Sequence, residues 1–261
     1  MKNKTPIMLG FACAALTAAV LAPPVSGQPV VGPFSTLPSP AVPFPLTADQ
    51  LEFLSHVTMV DLPDGQGDFV RTARISGINV QIVNGLGSTN STNGTGNLVV
   101  GYNELGNPDG DDRTGSHNIV GGRANTHASW GGFVVGRDNS VTGVFSSVCG
   151  GQNNMASGPR SSVSAGFDNT ASGERSSVSG GQSNIASGLR SSVSGGGFNT
   201  ASTYSSSVSG GSFNTASGNR SSVSGGRNNT ASGYFSSVSG GFNRSATGQD
   251  DWVAGSLFED N

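Results

Sequence analysis

From residue 146 to residue 248 the chain repeats itself every fifteen residues, and this period limits the fold more than any other feature. The unit reads Ser-Ser-Val-Ser-Gly-Gly-x-x-Asn-x-Ala-Ser-Gly-x-x. Its valines fall at Val148, Val163, Val178, Val193, Val208, Val223 and Val238. Its asparagines fall at Asn154, Asn169, Asn184, Asn199, Asn214 and Asn229. A short fixed period marks a solenoid in which each unit is one coil stacked on the next. Fifteen residues cannot hold two helices and a loop, but they can hold two or three short strands joined by tight turns. The expected fold class is therefore all-β, a parallel β-roll or β-solenoid of about fifteen-residue coils, with a small helix-hairpin segment before it. Repetition specifies a shape and a surface, not a reaction.

Composition is read against that period. Hydrophobic residues are 34% of the chain and glycines number 41, which without periodicity would suggest disorder. Strict phasing of Val and Asn argues for order instead. At the start, Lys2 and Lys4 precede a mostly apolar stretch over 7–22, and Val25-Ser26-Gly27 offers small residues for cleavage. Residues 1–27 are expected to be a signal peptide that exports the chain to the cell surface or the extracellular space. Gly10, Thr17 and Pro23 interrupt the apolar run, which favours a signal peptide over a membrane anchor. Beyond it there is no lysine, and 11 Arg against 16 acidic residues give a net charge of −5. Basic residues do not cluster as a nucleic-acid footprint would, so no nucleic-acid partner is expected. Removal of Cys13 leaves Cys149 alone, which excludes an intrachain disulfide framework.

Residues 28–46 hold six prolines, with Pro24 just upstream, and read as an extended linker. A second segment, 47–84, reads as a helix and a hairpin. Thr47 with Gln50 forms a capping-box signature for a helix over about 48–56. Runs at 57–60 and 69–75 flank Pro63-Asp64-Gly65-Gln66-Gly67, a hairpin signal. Ile78, Val80 and Ile82 alternate with Asn79 and Gln81 and predict a half-buried strand. Residues 85–116 are expected to form irregular first coils with loops, and 117–248 the regular solenoid. Residues 131–145 are in full register, with Gly136 and Asn139 matching Gly151 and Asn154. Residues 249–261 abandon the repeat and carry Trp252, Leu257, Phe258 and four acidic residues, as a terminal cap should.

Strand alternation assigns faces within a coil. With Val148 inward, Ser147 and Cys149 point outward; Ala156 shares the direction of Asn154, while Met155 and Ser157 face away. Gly150-Gly151 and Gly158 are expected where the coil turns. An inward Asn ladder would bond its own neighbours and the turn backbone, as buried amides require. One Val and one Ala per coil make a thin interior. Burial of a second face against other copies of the chain would strengthen it, so an oligomer is expected. Either the Ser147/Cys149 row or the Thr170/Ser172 row could form that contact.

Ser-Val-Ser-Gly-Gly-x-x-Asn-x-Ala-Ser-Gly resembles the head repeats of YadA-like trimeric autotransporter adhesins, whose units run Ser-Val-Ala-Ile-Gly-x-x-Ala-x-Ala-x-Gly. The resemblance covers residues 97–248 and rests on Val148, Gly150, Ala156, Gly158 and their repeats. It implies a left-handed parallel β-roll that forms a homotrimer, is displayed on bacterial surfaces and binds extracellular matrix, cells or glycans. The family's inward Ile is Gly150 here, and its period is fourteen rather than fifteen. Nothing in the chain resembles the family's heptad stalk or anchoring β-barrel, so no self-encoded membrane anchor is expected.

Candidate chemistry is sparse. Asp109, Asp111 and Asp112, with Glu104, form an oxygen-rich loop of the kind that can hold Ca²⁺, although the spacing fits no established calcium loop. His56, His117 and His127 show no ligand spacing, and no Gly-x-Ser-x-Gly elbow occurs. Neither enzymatic activity nor a cofactor is expected. Arg160, Arg175, Arg190 and Arg220 share one repeat position, and Phe198 and Phe213 share another. These stripes read as turn decoration or as a surface for a partner or glycan. The Thr170, Thr200, Thr215 and Thr230 row suggests a soluble ice- or carbohydrate-binding solenoid as an alternative, with Met155, Ile185 and Ser245 breaking the row.

Overall fold

The computed structural model describes residues 45–255; the signal segment, most of the proline-rich linker, and Leu257 and Phe258 lie outside the described residues. The chain forms two units, one ending at Ile78 and one beginning at Asn79.

In the first unit, helix α1 spans Ala48–Ser55. The Thr47 hydroxyl accepts from the Gln50 backbone N–H at 3.2 Å, and the Gln50 side chain accepts from the Thr47 N–H at 2.9 Å. This reciprocal cap satisfies two orphan donors of the first turn. None of the helix residues is buried. Strands β1 (Val57–Pro63) and β2 (Phe69–Ile75) pair antiparallel, with Val57 opposite Ile75. Asp64 closes the hairpin by accepting from the N–H groups of Gln66 and Asp68. The strand expected over Ile78, Val80 and Ile82 does not form, and all three side chains are exposed. Alternation alone does not make a strand where no neighbouring strand takes up its hydrogen bonds.

The second unit is a β-solenoid. One parallel sheet of eleven short strands runs from Leu98–Val100 to Trp252–Val253, and a second of nine runs from Thr126–His127 to Ser245–Ala246. A third side is a line of single bridges through Gln152, Phe167, Gln182, Gly197, Ser212, Arg227 and Phe242. The first sheet carries the inward valines and the second the inward alanines. Val148, Val163, Val178, Val193, Val208, Val223 and Val238 are no more than 1% exposed, and so are Ala156 and its equivalents.

The coils are not uniform in length. Ile119 pairs with Phe133, and Phe133 with Ser147, a step of fourteen residues each time; Ser147 pairs with Ser162, a step of fifteen. The extra residue can be placed. Val134 pairs with Val148, fourteen apart, whereas Arg137 bridges Gln152, fifteen apart. Asn139 donates to the Val135 carbonyl as Asn154 donates to that of Gly150. Val135 therefore corresponds to Gly150, and the inserted residue is Cys149. The coil through 131–145 is accordingly one residue shorter in its first strand than the fifteen-residue reading of it.

The turns also differ from expectation. The left-handed corners fall on Asn153 (φ 57°) and Arg160 (φ 58°), and on their equivalents in every coil. Gly151 (φ 80°) does need its conformation, but Gly158 is required for another reason. A Cβ on Gly158 would lie 2.1 Å from the carbonyl oxygen of Gly173 in the next coil. That glycine permits stacking rather than turning.

The coil axis is held by amides. The side-chain oxygen of Asn154 accepts from the backbone N–H of Asn169 at 3.0 Å, and its amide donates to the Gly150 and Gly166 carbonyls. Asn169, Asn184, Asn199, Asn214 and Asn229 continue the relay, each fully buried, and Asn229 passes it to the N–H of Arg244. Each carboxamide thus meets its polar requirement inside the coil. The terminal segment departs from expectation as well: Trp252 pairs with Ser237 and Val253 with Val238, so the ladder extends through Val253.

Candidate functional site

The solenoid presents two flat outer faces, two corners and an insertion loop, each set by the strand register. On the outer face of the valine sheet, Ser147, Ser162, Ser177, Ser192, Ser207, Ser222 and Ser237 stand in one row. Pairing carries that row to Phe133, Ile119 and Leu98 at one end and to Trp252 at the other. Leu98, Ile119 and Trp252 are 44%, 46% and 69% exposed. A row of small hydroxyls thus ends in large apolar side chains at both ends. The neighbouring row runs through Cys149, an exposed free thiol, to Ser164 and Ser179.

The alanine sheet is different. Its outward row reads Met155, Thr170, Ile185, Thr200, Thr215, Thr230 and Ser245. Thr200, Thr215 and Thr230 stand on three consecutive coils.

The corner bearing Arg160, Arg175, Arg190 and Arg220 is contacted from within the solenoid. Glu174 lies 3.2 Å from Arg160 and 3.5 Å from Arg175. Arg190 and Arg220 sit over the Tyr204 ring at 5.8 and 5.7 Å, and Arg220 also lies 5.2 Å from Phe235. Such contacts are worth roughly 0.5–1 kcal/mol at exposed sites. The charge of Arg190 leads the influences that hold the Tyr204 hydroxyl below its usual pKa.

At the opposite corner Phe198 and Phe213 stack with centroids 4.9 Å apart and planes within 2°. Beyond Phe213 the same position is filled by Asn228 and Asn243, and Phe242 rises from the adjacent line of bridges. Phe213, Arg227, Asn228, Phe242 and Asn243 line one cavity of about 280 Å³. Rows that are separate in the repeat unit meet here only because three coils are stacked.

The acidic loop does not gather as a metal site. Asp111 accepts from the N–H groups of Asn107 and Gly106, and these bonds hold its carboxyl below the usual range. Asp112 turns to the N–H and hydroxyl of Thr114, with the same effect on its pKa. Asp109 accepts from the Ser140 hydroxyl at 3.2 Å. Among the described residues no group of three or more His, Cys, Asp or Glu side chains is placed to hold a metal ion. The loop's work is structural: Asn103 and Asn107 donate to the Asn125 and Ala124 carbonyls and cover the first coils. The pKa of His127, 4% exposed, is lowered by burial first and by the charge of Arg113 second, with Asp112 opposing. No described helix is long and apolar enough to cross a membrane. A scan against protein-family models finds no match for this chain, and a search of the curated proteins finds no relative.

Proposed function

We propose that the chain is an exported, non-enzymatic β-roll that assembles as a homotrimer and has a structural or adhesive role at the bacterial surface or in the extracellular space. The observation that carries this reading is the outer row of the valine sheet. Leu98, Ile119 and Phe133 at one end and Trp252 at the other leave apolar surface on a face that is otherwise flat and built of serine. Contiguous exposed apolar groups on a soluble protein mark a contact surface. Small hydroxyls between them allow close approach of a second copy along the full length. The helix-hairpin unit supports the same reading, since Leu51, Phe53, Leu54 and Met59 are all about half exposed within it. A helix and a two-stranded ribbon do not hold together alone in water. The resemblance of the repeats to trimeric adhesin heads supports the number three.

Light scattering tests the reading. The exported protein is expected to have three times the chain mass and a melting temperature that rises with concentration, as linked folding and association require. Replacing Ser177 and Ser207 with Trp should dissociate it, whereas Thr200→Trp on the alanine sheet should leave the mass unchanged. A stable monomer at micromolar concentration with full β signal would overturn the assembly. Binding of the purified protein to matrix proteins and glycan arrays tests the adhesive role. One observation favours a second reading, a soluble ice- or carbohydrate-binding solenoid: Thr200, Thr215 and Thr230 form an in-register array on a flat sheet. Ice-recrystallisation inhibition by the wild type that is lost in Thr215→Leu would establish it.

A further inference from the structure

We infer that the cavity between Phe213 and Phe242 is a saccharide site that takes one terminal pyranose ring, an acidic sugar in preference to its neutral counterpart. The inference rests on the adhesive reading and names the ligand class for it. Three observations support it.

The first is the pair of rings. Phe198 and Phe213 hold φ of 57°, a region that bulky side chains rarely enter. Elsewhere in the same position the chain uses Asp138, Asn153, Asp168, Ser183, Asn228 and Asn243. Phe145, Phe235 and four arginines hold the same φ at the other corner, so the conformation belongs to the coil; what sets this corner apart is two aromatic rings on consecutive coils, stacked on each other.

The second is the shape. Phe198 covers one face of Phe213, and the next coil places Asn228 rather than a ring on the other side. Phe242 stands two coils further along, and coils are ~4.8 Å apart, so the two backbone positions are about 10 Å apart. A sugar ring stacked at ~3.5–4 Å on Phe213 leaves about 6 Å on the Phe242 side, room for its hydroxyl edge and for the Arg227 side chain that stands over Phe242. The cavity of about 280 Å³ is smaller than the ~300–1,000 Å³ of sites for drug-sized ligands, which suits one sugar rather than a chain. The C–H face of a pyranose is apolar and matches an aromatic wall, while its edge carries hydroxyls.

The third is the polar rim. Asn228 donates its amide to the Asn243 side-chain oxygen. That leaves the Asn228 oxygen as an acceptor and the Asn243 amide as a donor, side by side, for adjacent hydroxyls. The Arg227 guanidinium lies 6.0 Å from the Phe242 ring centroid, and no carboxylate lines the cavity. A planar cation without an acidic neighbour is suited to a sugar carboxylate, which it can bind through two parallel hydrogen bonds.

The test uses the exported full chain and two probes, glucuronic acid-terminated and glucose-terminated oligosaccharides, in titrations followed by NMR. Both are expected to perturb the Phe213 and Phe242 ring signals, and the acidic probe should bind about tenfold more tightly, as one charge-assisted contact allows. Phe213→Ala and Phe242→Ala should abolish binding of both probes. Arg227→Gln should remove the difference between them. Phe167→Ala, an exposed ring outside the cavity, should change nothing. Circular dichroism and light scattering on each variant show whether fold and mass are retained. Binding that survives loss of both cavity rings, or no binding of either probe to the wild type, would overturn the site. Equal affinities that Arg227→Gln leaves unchanged would overturn the acidic preference. A wild type that binds sugar but is monomeric would keep the site and remove the trimeric reading.

Discussion

The coils before Ser146 and those after it solve one problem in two ways. The early coils step by twenty-one residues from Leu98 to Ile119 and by fourteen from Ile119 to Phe133 and on to Ser147, carry Leu98, Ile119 and Phe133 outward, and in the first two place asparagine at both corners. Asn118 accepts from the Gly132 N–H at one corner, and Asn125 from the Asn139 N–H at the other. The later coils step by fifteen, carry serine outward, and keep asparagine at one corner only. Ser146, Ser161, Ser176 and their successors take the other corner and are buried. The later pattern is less apolar and less fully hydrogen-bonded: the hydroxyls of Ser161, Ser176, Ser191 and Ser221 are buried without partners. Order in the later coils thus comes from repetition along the axis, and in the early coils from denser local contacts and the 103–112 loop packed against them.

The largest expected effect separates an interior rung from an end rung. Val193→Asp buries an unpaired charge among stacked coils and should abolish the cooperative β transition. Val99→Asp, at the open end where Val99 is 45% exposed, should lower the melting temperature by only a few degrees. Equal losses in thermal melts followed by circular dichroism would erase the distinction between the middle and the end of the stack.

Next comes the amide relay. Asn199→Ala removes the acceptor for the Asn214 N–H and two donors to the Gly195 and Gly211 carbonyls. The stranded backbone groups should cost about 2–4 kcal/mol, read from denaturant midpoints at constant slope. If the loss is under half a kcal/mol, water rather than asparagine satisfies that corner.

Between pH 7 and 5, protonation of histidine should act on the region before Ser146, because all three histidines precede it. Burial and the Arg113 charge lower the His127 pKa below 6.5, Asp112 partly offsets them, and its Nδ1 has no hydrogen-bond partner. Above pH 6.5 both folded and unfolded states are neutral there and no effect appears. Below it the unfolded chain takes up a proton that the folded one resists, so stability falls with pH until the lower folded pKa is passed. Hydrogen exchange at Val141 should accelerate between pH 7 and 5 relative to exchange at Val208, after correction for intrinsic rates. His127→Gln should remove that difference.

The smallest effect concerns the serine corner. The Ser146 hydroxyl donates to the Gly143 carbonyl at 2.6 Å, and its replacement by Ala should cost about 1 kcal/mol. Ser191→Ala removes a buried hydroxyl with no partner and should be neutral or slightly stabilising. Matched losses at the two positions would show that this corner is equivalent in the two coils after all.

The period, the β class, and the helix and hairpin at Thr47 and Pro63 could be read in the residues, because each is a local pattern with a local cause. What escaped reading depended on neighbours. Gly136 and Asn139 align with Gly151 and Asn154, which hides the residue missing before them. Trp252-Val253 looks like the end of the repeat until pairing shows it to be another rung. Ile78, Val80 and Ile82 alternate correctly but have no partner strand. The corners at Asn153 and Arg160 were masked by nearby glycines that serve coil-to-coil contact. The aromatic cavity joins residues of two rows on three coils, and no single repeat unit contains it.

The asparagine relay has a consequence for how such a chain can change over generations. Each rung refers only to the rung before and the rung after, through the same three bonds, so the stack has no internal marker of its own length. Loss or gain of fifteen residues between Asn154 and Asn229 rejoins the relay without a fault and shifts the far end by about 4.8 Å. A fourteen-residue coil also carries the relay, from Asn125 to Asn139, so the asparagine spacing and not one exact length is what a rung must keep. Reach is therefore a trait that recombination between repeats can adjust in equal steps, while the fold is inherited unchanged.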